Sequence, residues 1–183
     1  MDYKNITVPF LNNSAIKNKT DLFRKEFWDD SVPVEIEDII DLKLKLDIVL
    51  TKELLKLCDT DALITSGWSL VYVDYDKYID ERYRNRLRFS FAHEIGHFIL
   101  HKNIYSSFGI KNLKDYYELL EKISQEQYSY IETQANKFAN YLLIPRDKLI
   151  LRRSQFIKQN EKVKKLIISK KIDNKTMNSY LAM

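Results

Sequence analysis

The order of apolar and polar positions along the chain changes period twice, and each change marks a change of element. "DLFRKEFW" (21–28) places Leu, Phe, Phe and Trp on one side of a helical turn and its charges on the other, which predicts an amphipathic helix. "VPVEIEDIIDLKL" predicts a second, with Pro33 in its first turn and Ile36, Ile39 and Ile40 at helical spacing. The runs "LKLDIVL" (44–50), "ALITS" (62–66) and "SLVYVDY" (69–75) are then short and rich in β-forming residues, the last two separated by Gly67 and Trp68. They predict a small antiparallel sheet. The helical period returns with a strongly apolar segment at about 87–101, a further helix near 112–123 and a long one at about 126–143 that Pro145 stops. The fold class expected from this order is α+β.

Composition narrows the picture. With 183 residues, 45% of them apolar, the chain is long enough to bury a real core, and three Gly and three Pro leave little material for long flexible linkers. The single cysteine, Cys58, excludes an internal disulfide framework and suits a reducing compartment. The first residues lack a basic start followed by a long apolar run, and no stretch of about 18 apolar residues exists, so a soluble, cytoplasmic protein without membrane contact is expected. The net charge of +4 is unevenly spread: residues 1–151 hold 21 basic and 24 acidic residues, residues 152–183 nine and two. That asymmetry suggests one domain over 1–151 and a basic helical tail over 152–183, with two short helices meeting around Ile172 to Asn174. The tail has no aromatics alternating with its charges, so direct nucleic-acid binding is not expected.

The candidate chemistry sits in "FAHEIGHFILH" (91–101), which holds all three histidines of the chain. On a helix, His93 and His97 lie one turn apart on the same face, close enough to grip one ion, with Glu94 beside them. His-Glu-x-x-His on a helix is the arrangement in which two neutral imidazoles bind zinc and the glutamate takes a proton from water. The surrounding residues are apolar, and buried polar groups need partners, which a metal would supply to both imidazoles at once. A catalytic zinc site takes three protein ligands. His101 lies eight residues from His93, a rise of about 12 Å on a helix, too far for the same ion, and is at best an outer partner. Glu132 is the better third ligand. It stands one turn before Ala135 on the inward stripe Ala135, Phe138, Ala139, Leu142 and Leu143, where a carboxylate needs a counter-charge. Glu121 and Glu126 precede that stripe in more polar surroundings. Ala135 and Ala139 allow close helix packing, and Asn136 is placed to orient a ligand by a hydrogen bond.

Together, "RNRLRFSFAHEIGHFILH" and "ETQANKFANYLLIP" resemble the ImmA/IrrE family of zinc metallopeptidases. The resemblance rests on the lead-in Arg86, Arg88 and Phe89, the metal helix ending in Leu100 and His101, and the block at 132–145; with the strand-rich segment it covers roughly residues 20–145. It implies a compact zincin-like peptidase, with a small antiparallel sheet packed on a helical bundle that carries the metal helix. His93, His97 and Glu132 would be zinc ligands, Glu94 the general base, and Asn136 and His101 outer partners. It further implies a protein substrate such as a helix-turn-helix repressor. Ser90 stands where the family usually has threonine and keeps the hydroxyl. A substrate strand is expected along an exposed edge formed by "SLVYVDY". His101, Tyr72, Tyr75, Tyr78, Tyr83, Tyr116 and Tyr117 are the candidates for stabilising the oxyanion. Two other readings compete: a non-proteolytic regulator of the same fold, and a nucleic-acid module acting through the basic tail.

Overall fold

A computed structural model describes residues 3, 6–29, 31–52, 54–160, 162, 165 and 169. The chain divides into two compact units, Met1–Leu143 and Ile144–Met183. In the first unit, helix α1 (Asn13–Phe27) starts eight residues before the amphipathic pattern suggested, because Asn12 caps it by accepting from the Ala15 amide. Its buried stripe is Ile16, Thr20 and Phe23; Thr20 escapes a hydrophobic reading because its hydroxyl is satisfied by the Ile16 carbonyl one turn back. The second helix is also shifted. Pro33 precedes it, α2 runs over Ile36–Asp38, and the chain then widens into a π-helical turn, Ile39–Lys43, that buries Ile39 and Ile40.

The sheet differs from the expected antiparallel one. Its strands β1 (Asp47–Thr51), β2 (Ala62–Ile64) and β3 (Leu70–Asp74) are ordered β1-β3-β2, with β1 parallel and β2 antiparallel to β3. After β1 the chain crosses over through α3 (Leu54–Cys58), and the β2–β3 turn returns β3 into the gap. A crossover of this kind leaves no mark in three short β-rich runs, whereas a hairpin does. The segment "SLVYVDY" is therefore central, with Val71 and Val73 fully buried, and cannot serve as the free edge expected for a substrate strand.

Beyond the sheet come α4 (Tyr75–Tyr78), a 3₁₀ turn at Glu81–Tyr83, and α5 (Arg84–Leu100), the helix carrying the histidines. Helix α6 (Lys102–Phe108), which is not among the expected elements, ends at Gly109 in the left-handed conformation, φ 67°. Helix α7 (Leu113–Lys122) begins with a capping box between Asn112 and Asp115, and α8 (Gln125–Leu143) runs to the expected stop at Pro145. The core lies between α5, α8, α1 and the sheet, with Phe91, Ile95 and Phe138 among its fully buried side chains. In the second unit, α9 (Arg146–Gln159) has no buried residue and exposes Leu149, Ile150, Leu151 and Phe156. The short helices expected around Ile172 to Asn174 lie outside the described residues. Among the described residues, no helix is long and apolar enough to cross a membrane.

Candidate metal centre

Helix α5 is fixed at its start by two arginines and in its middle by a missing side chain. Arg86 pairs with the buried Asp61 just before β2, and Arg88 donates to the Val34 carbonyl at 2.8 Å, so both polar ends of the lead-in are spent on anchoring the helix. Gly96 faces α8, and a Cβ at this position would stand 3.1 Å from both Cα and O of Ala135 and 3.3 Å from Cβ of Phe138. Only a glycine opposite an alanine lets these two backbones approach so closely. The expected role of Ala135 in close packing holds. Gly96 is its counterpart on α5.

That approach carries Glu132 to the histidines. Its Oε2 lies 3.1 Å from Nε2 of His93 and its Oε1 3.5 Å from Nε2 of His97, while the two Nε2 atoms are 2.9 Å apart. His93, Glu94 and His97 likewise offer ligand atoms that all lie within 4.8 Å of one another. The outward nitrogens of both imidazoles are occupied: Nδ1 of His93 is 2.9 Å from Oδ1 of Asn136, and Nδ1 of His97 is 3.2 Å from Nδ1 of His101. An amide oxygen only accepts, so neutral His93 carries its proton on Nδ1 and turns a lone pair inward. Lone pairs converging at these distances repel unless a proton or a cation stands among them. Two ligands on a tetrahedral ion with bonds of 2.0–2.1 Å stand about 3.3 Å apart, within the range of the separations found here. The donor set fits a metal cation.

Electrostatics describes the metal-free state of the same cluster. Burial works against charge on His93, but the Glu132 hydrogen bond and the charges of Glu94 and Glu132 outweigh it, and its pKa rises to about 9. There a proton does the work of the cation. Burial, aided by the His93 charge, lowers His97 well below the ordinary histidine value, and burial lowers His101 to about 4 against the opposing Gln134 hydrogen bond. Glu94 is 5% exposed, and its Oε2 accepts from the Ile64 amide of β2 at 2.8 Å. Burial raises its pKa to about 7, against the pull of His93 and of the Ile64 amide. A carboxyl poised there exchanges protons readily near neutral pH.

His93, Glu94, His97 and Glu132 line one cavity of about 80 Å³, room for several waters. Tyr116 is the one tyrosine of the expected oxyanion set that reaches it; Tyr72, Tyr75, Tyr78, Tyr83 and Tyr117 are not among its lining residues. Tyr72 instead donates to the Lys111 carbonyl and Tyr78 to Glu37. His101 also stands off the cavity, behind His97. Two tyrosines not singled out from sequence do line it, Tyr105 and Tyr128. Tyr105 donates to the Ile64 carbonyl at 3.0 Å, and its ring lies 5.1 Å from that of His97. Its signal was present: His93, His97, His101 and Tyr105 follow one another at intervals of four. Tyr128 lies one turn before Glu132 and bonds the Tyr116 hydroxyl at 3.1 Å.

The family profile described as the IrrE N-terminal-like domain, peptidase M78, matches residues 78–177. That span includes α5 and α8 and leaves the sheet outside. No curated protein and no solved structure matches the chain. With more than half of its length matched, and with the histidines and Glu132 brought together inside the matched span, the chain belongs to the IrrE N-terminal-like family of M78 peptidases and has a metallopeptidase-type function.

Proposed function

We propose that the protein is a zincin-like, zinc-dependent endopeptidase that cuts a regulatory protein, such as a helix-turn-helix repressor, at a specific site. The observation that carries this reading is the convergence of His93 Nε2, His97 Nε2 and the Glu132 carboxylate beside the buried Glu94. Nitrogen and carboxylate donors in this number suit zinc with one position left open. Zinc bound there supplies a Lewis acid that lowers the pKa of water and polarises a carbonyl. His93 and His97 hold the cation through Nε2, each kept in orientation by its outward bond, and Glu132 contributes the third donor and a negative charge. Glu94 is the general base in this reading. It takes a proton from the attacking water and delivers it to the leaving amine.

The substrate class rests on the resemblance of the 86–101 and 132–145 segments to peptidases that act on such repressors. The setting in this reading is the cytoplasm, where the buried thiol of Cys58 stays reduced. Incubating the zinc-loaded protein with the product of the neighbouring gene tests it, with a single chelator-sensitive cut as the expected result. Glu94→Gln retains zinc and cuts at least about a hundredfold more slowly, the low end for a lost general base. If that variant loses its metal, Glu94 is a ligand and the roles assigned here fall.

A further inference from the structure

The hydrogen bonds behind His97 continue beyond His101. Nε2 of His101 lies 3.2 Å from Oε1 of Gln134, and Nε2 of Gln134 donates to the Pro9 carbonyl at 3.0 Å. His97, His101 and Gln134 are 3%, 3% and 4% exposed, so the bonds that join these three side chains are buried, while Pro9 itself is exposed. The far end of the row determines the direction of all the others. A main-chain carbonyl only accepts, so the amide nitrogen of Gln134 faces Pro9 and its oxygen faces His101. His101 therefore donates through Nε2–H and presents a bare Nδ1. His97 donates its Nδ1–H to that nitrogen and keeps the lone pair on Nε2, the atom 3.5 Å from Glu132 Oε1. The acceptor itself is held in place, because the Val8 amide donates at 2.7 Å to Oε1 of Gln127, two turns before Gln134 on α8.

We propose that His101 and Gln134 are positioning residues that act through His97: the row from the Pro9 carbonyl through Gln134 and His101 fixes the His97 tautomer that can bind the metal. The proposal rests on the reading of His93, His97 and Glu132 as ligands. It makes the segment around Pro9, more than 80 residues before His97 in sequence, a part of the metal site. Metal-binding histidines generally give their second ring nitrogen to a carboxylate or a carbonyl. Here the carbonyl is reached through a second histidine and an amide.

Two substitutions of Gln134 separate tautomer control from simple anchoring of the N-terminal segment. Gln134→Leu removes both bonds, whereas Gln134→Glu loses the donor to Pro9 but still accepts from His101. In the full-length protein, zinc affinity measured by chelator competition should fall about ten- to hundredfold in Gln134→Leu and stay within about threefold of wild type in Gln134→Glu. Long-range ¹H–¹⁵N spectra of the wild type should show His101 protonated on Nε2, with or without zinc. Unchanged affinity in Gln134→Leu, with His97→Ala losing the metal, would overturn the positioning role while leaving the ligands intact. Equal losses in both Gln134 variants would reduce the residue to an anchor and overturn it as well. Undiminished zinc in His97→Ala would sink the ligand reading together with the relay. If Gln134→Glu does not fold, the tautomer spectrum decides alone, and a proton on Nδ1 of His101 refutes the proposal.

Discussion

The histidine row ends on a side-chain amide of α8 at both sides, Asn136 beyond His93 and Gln134 beyond His101, yet the two ends behave oppositely. The His93 end opens on the cavity and two carboxylates, and its imidazole gains a proton in the metal-free protein. The His101 end meets the Gln134 amide, itself bonded to the Pro9 carbonyl, and no carboxylate among the described residues, and its imidazole resists a proton. The same residue type, four or eight positions along one helix, becomes a charged partner or a neutral connector according to which acceptors surround it. The contrast teaches that helical spacing selects which histidines meet, whereas the surrounding donors and acceptors decide what each one does.

The largest expected effect removes the open end altogether. His93→Ala or His97→Ala should bring zinc from about one ion per chain to none by metal analysis, and unchanged zinc in both variants would dissolve the site. Glu132→Ala should weaken binding strongly and abolish cleavage, while Glu126→Ala, on the exposed first turn of α8, changes neither. Zinc held equally well by Glu132→Ala would break the three-ligand reading.

The contrast between the ends also predicts opposite pH signatures in the metal-free protein. The pKa of His101 drops from 6.5 to about 4 on folding, so the unfolded chain binds the proton first, and its contribution is present above 6.5 and lost as pH falls towards 4. The pKa of His93 rises from 6.5 to about 9, so its contribution is present below 6.5 and lost as pH rises through 9. Each shift corresponds to about 3 kcal/mol at most. Denaturant titrations of His101→Gln should show a shallower loss of stability on the acid side, and those of His93→Gln on the alkaline side. Identical pH slopes in the two variants would contradict the comparison.

Smaller effects probe what holds the two ends at their spacing. Gly96→Ala forces a Cβ to within 3.1 Å of the Ala135 backbone and should destabilise the protein by about 1–3 kcal/mol in thermal or denaturant unfolding. A neutral result would mean that α5 and α8 can separate freely. Asn136→Ala should be the mildest, weakening zinc less than Gln134→Leu does, because Asn136 is exposed and water can take over its bond to His93. A larger loss at Asn136 than at Gln134 would reverse the ranking of the two amides.

Much of the helical half was legible because its signals are local: the four-residue spacing of the histidines, the stripe from Ala135 to Leu142, the stop at Pro145. Glu132 could be picked out because its position on an apolar stripe demands a partner. The sheet was less legible, since strand order depends on a crossover that residues 44–75 do not encode locally. The start of α1 was hidden by a polar first half whose buried Thr20 satisfies itself. Gln134 went unread for a related reason: a glutamine within an amphipathic helix looks solvated until both of its partners, Pro9 and His101, come from elsewhere in the chain.

The strand order has a consequence for self-association. A sheet grows by adding strands to its edges, and with β3 in the centre only β1 and β2 have edges to offer. On β2, the Ile64 amide is taken by Glu94 and its carbonyl by Tyr105, and the next residues are occupied by the bond from the Ser66 amide to the Ile110 carbonyl. Side chains of the cavity thus stopper one rim of the sheet, and a second copy of the chain seeking to extend it by strand addition would find the five residues of β1 the more open template.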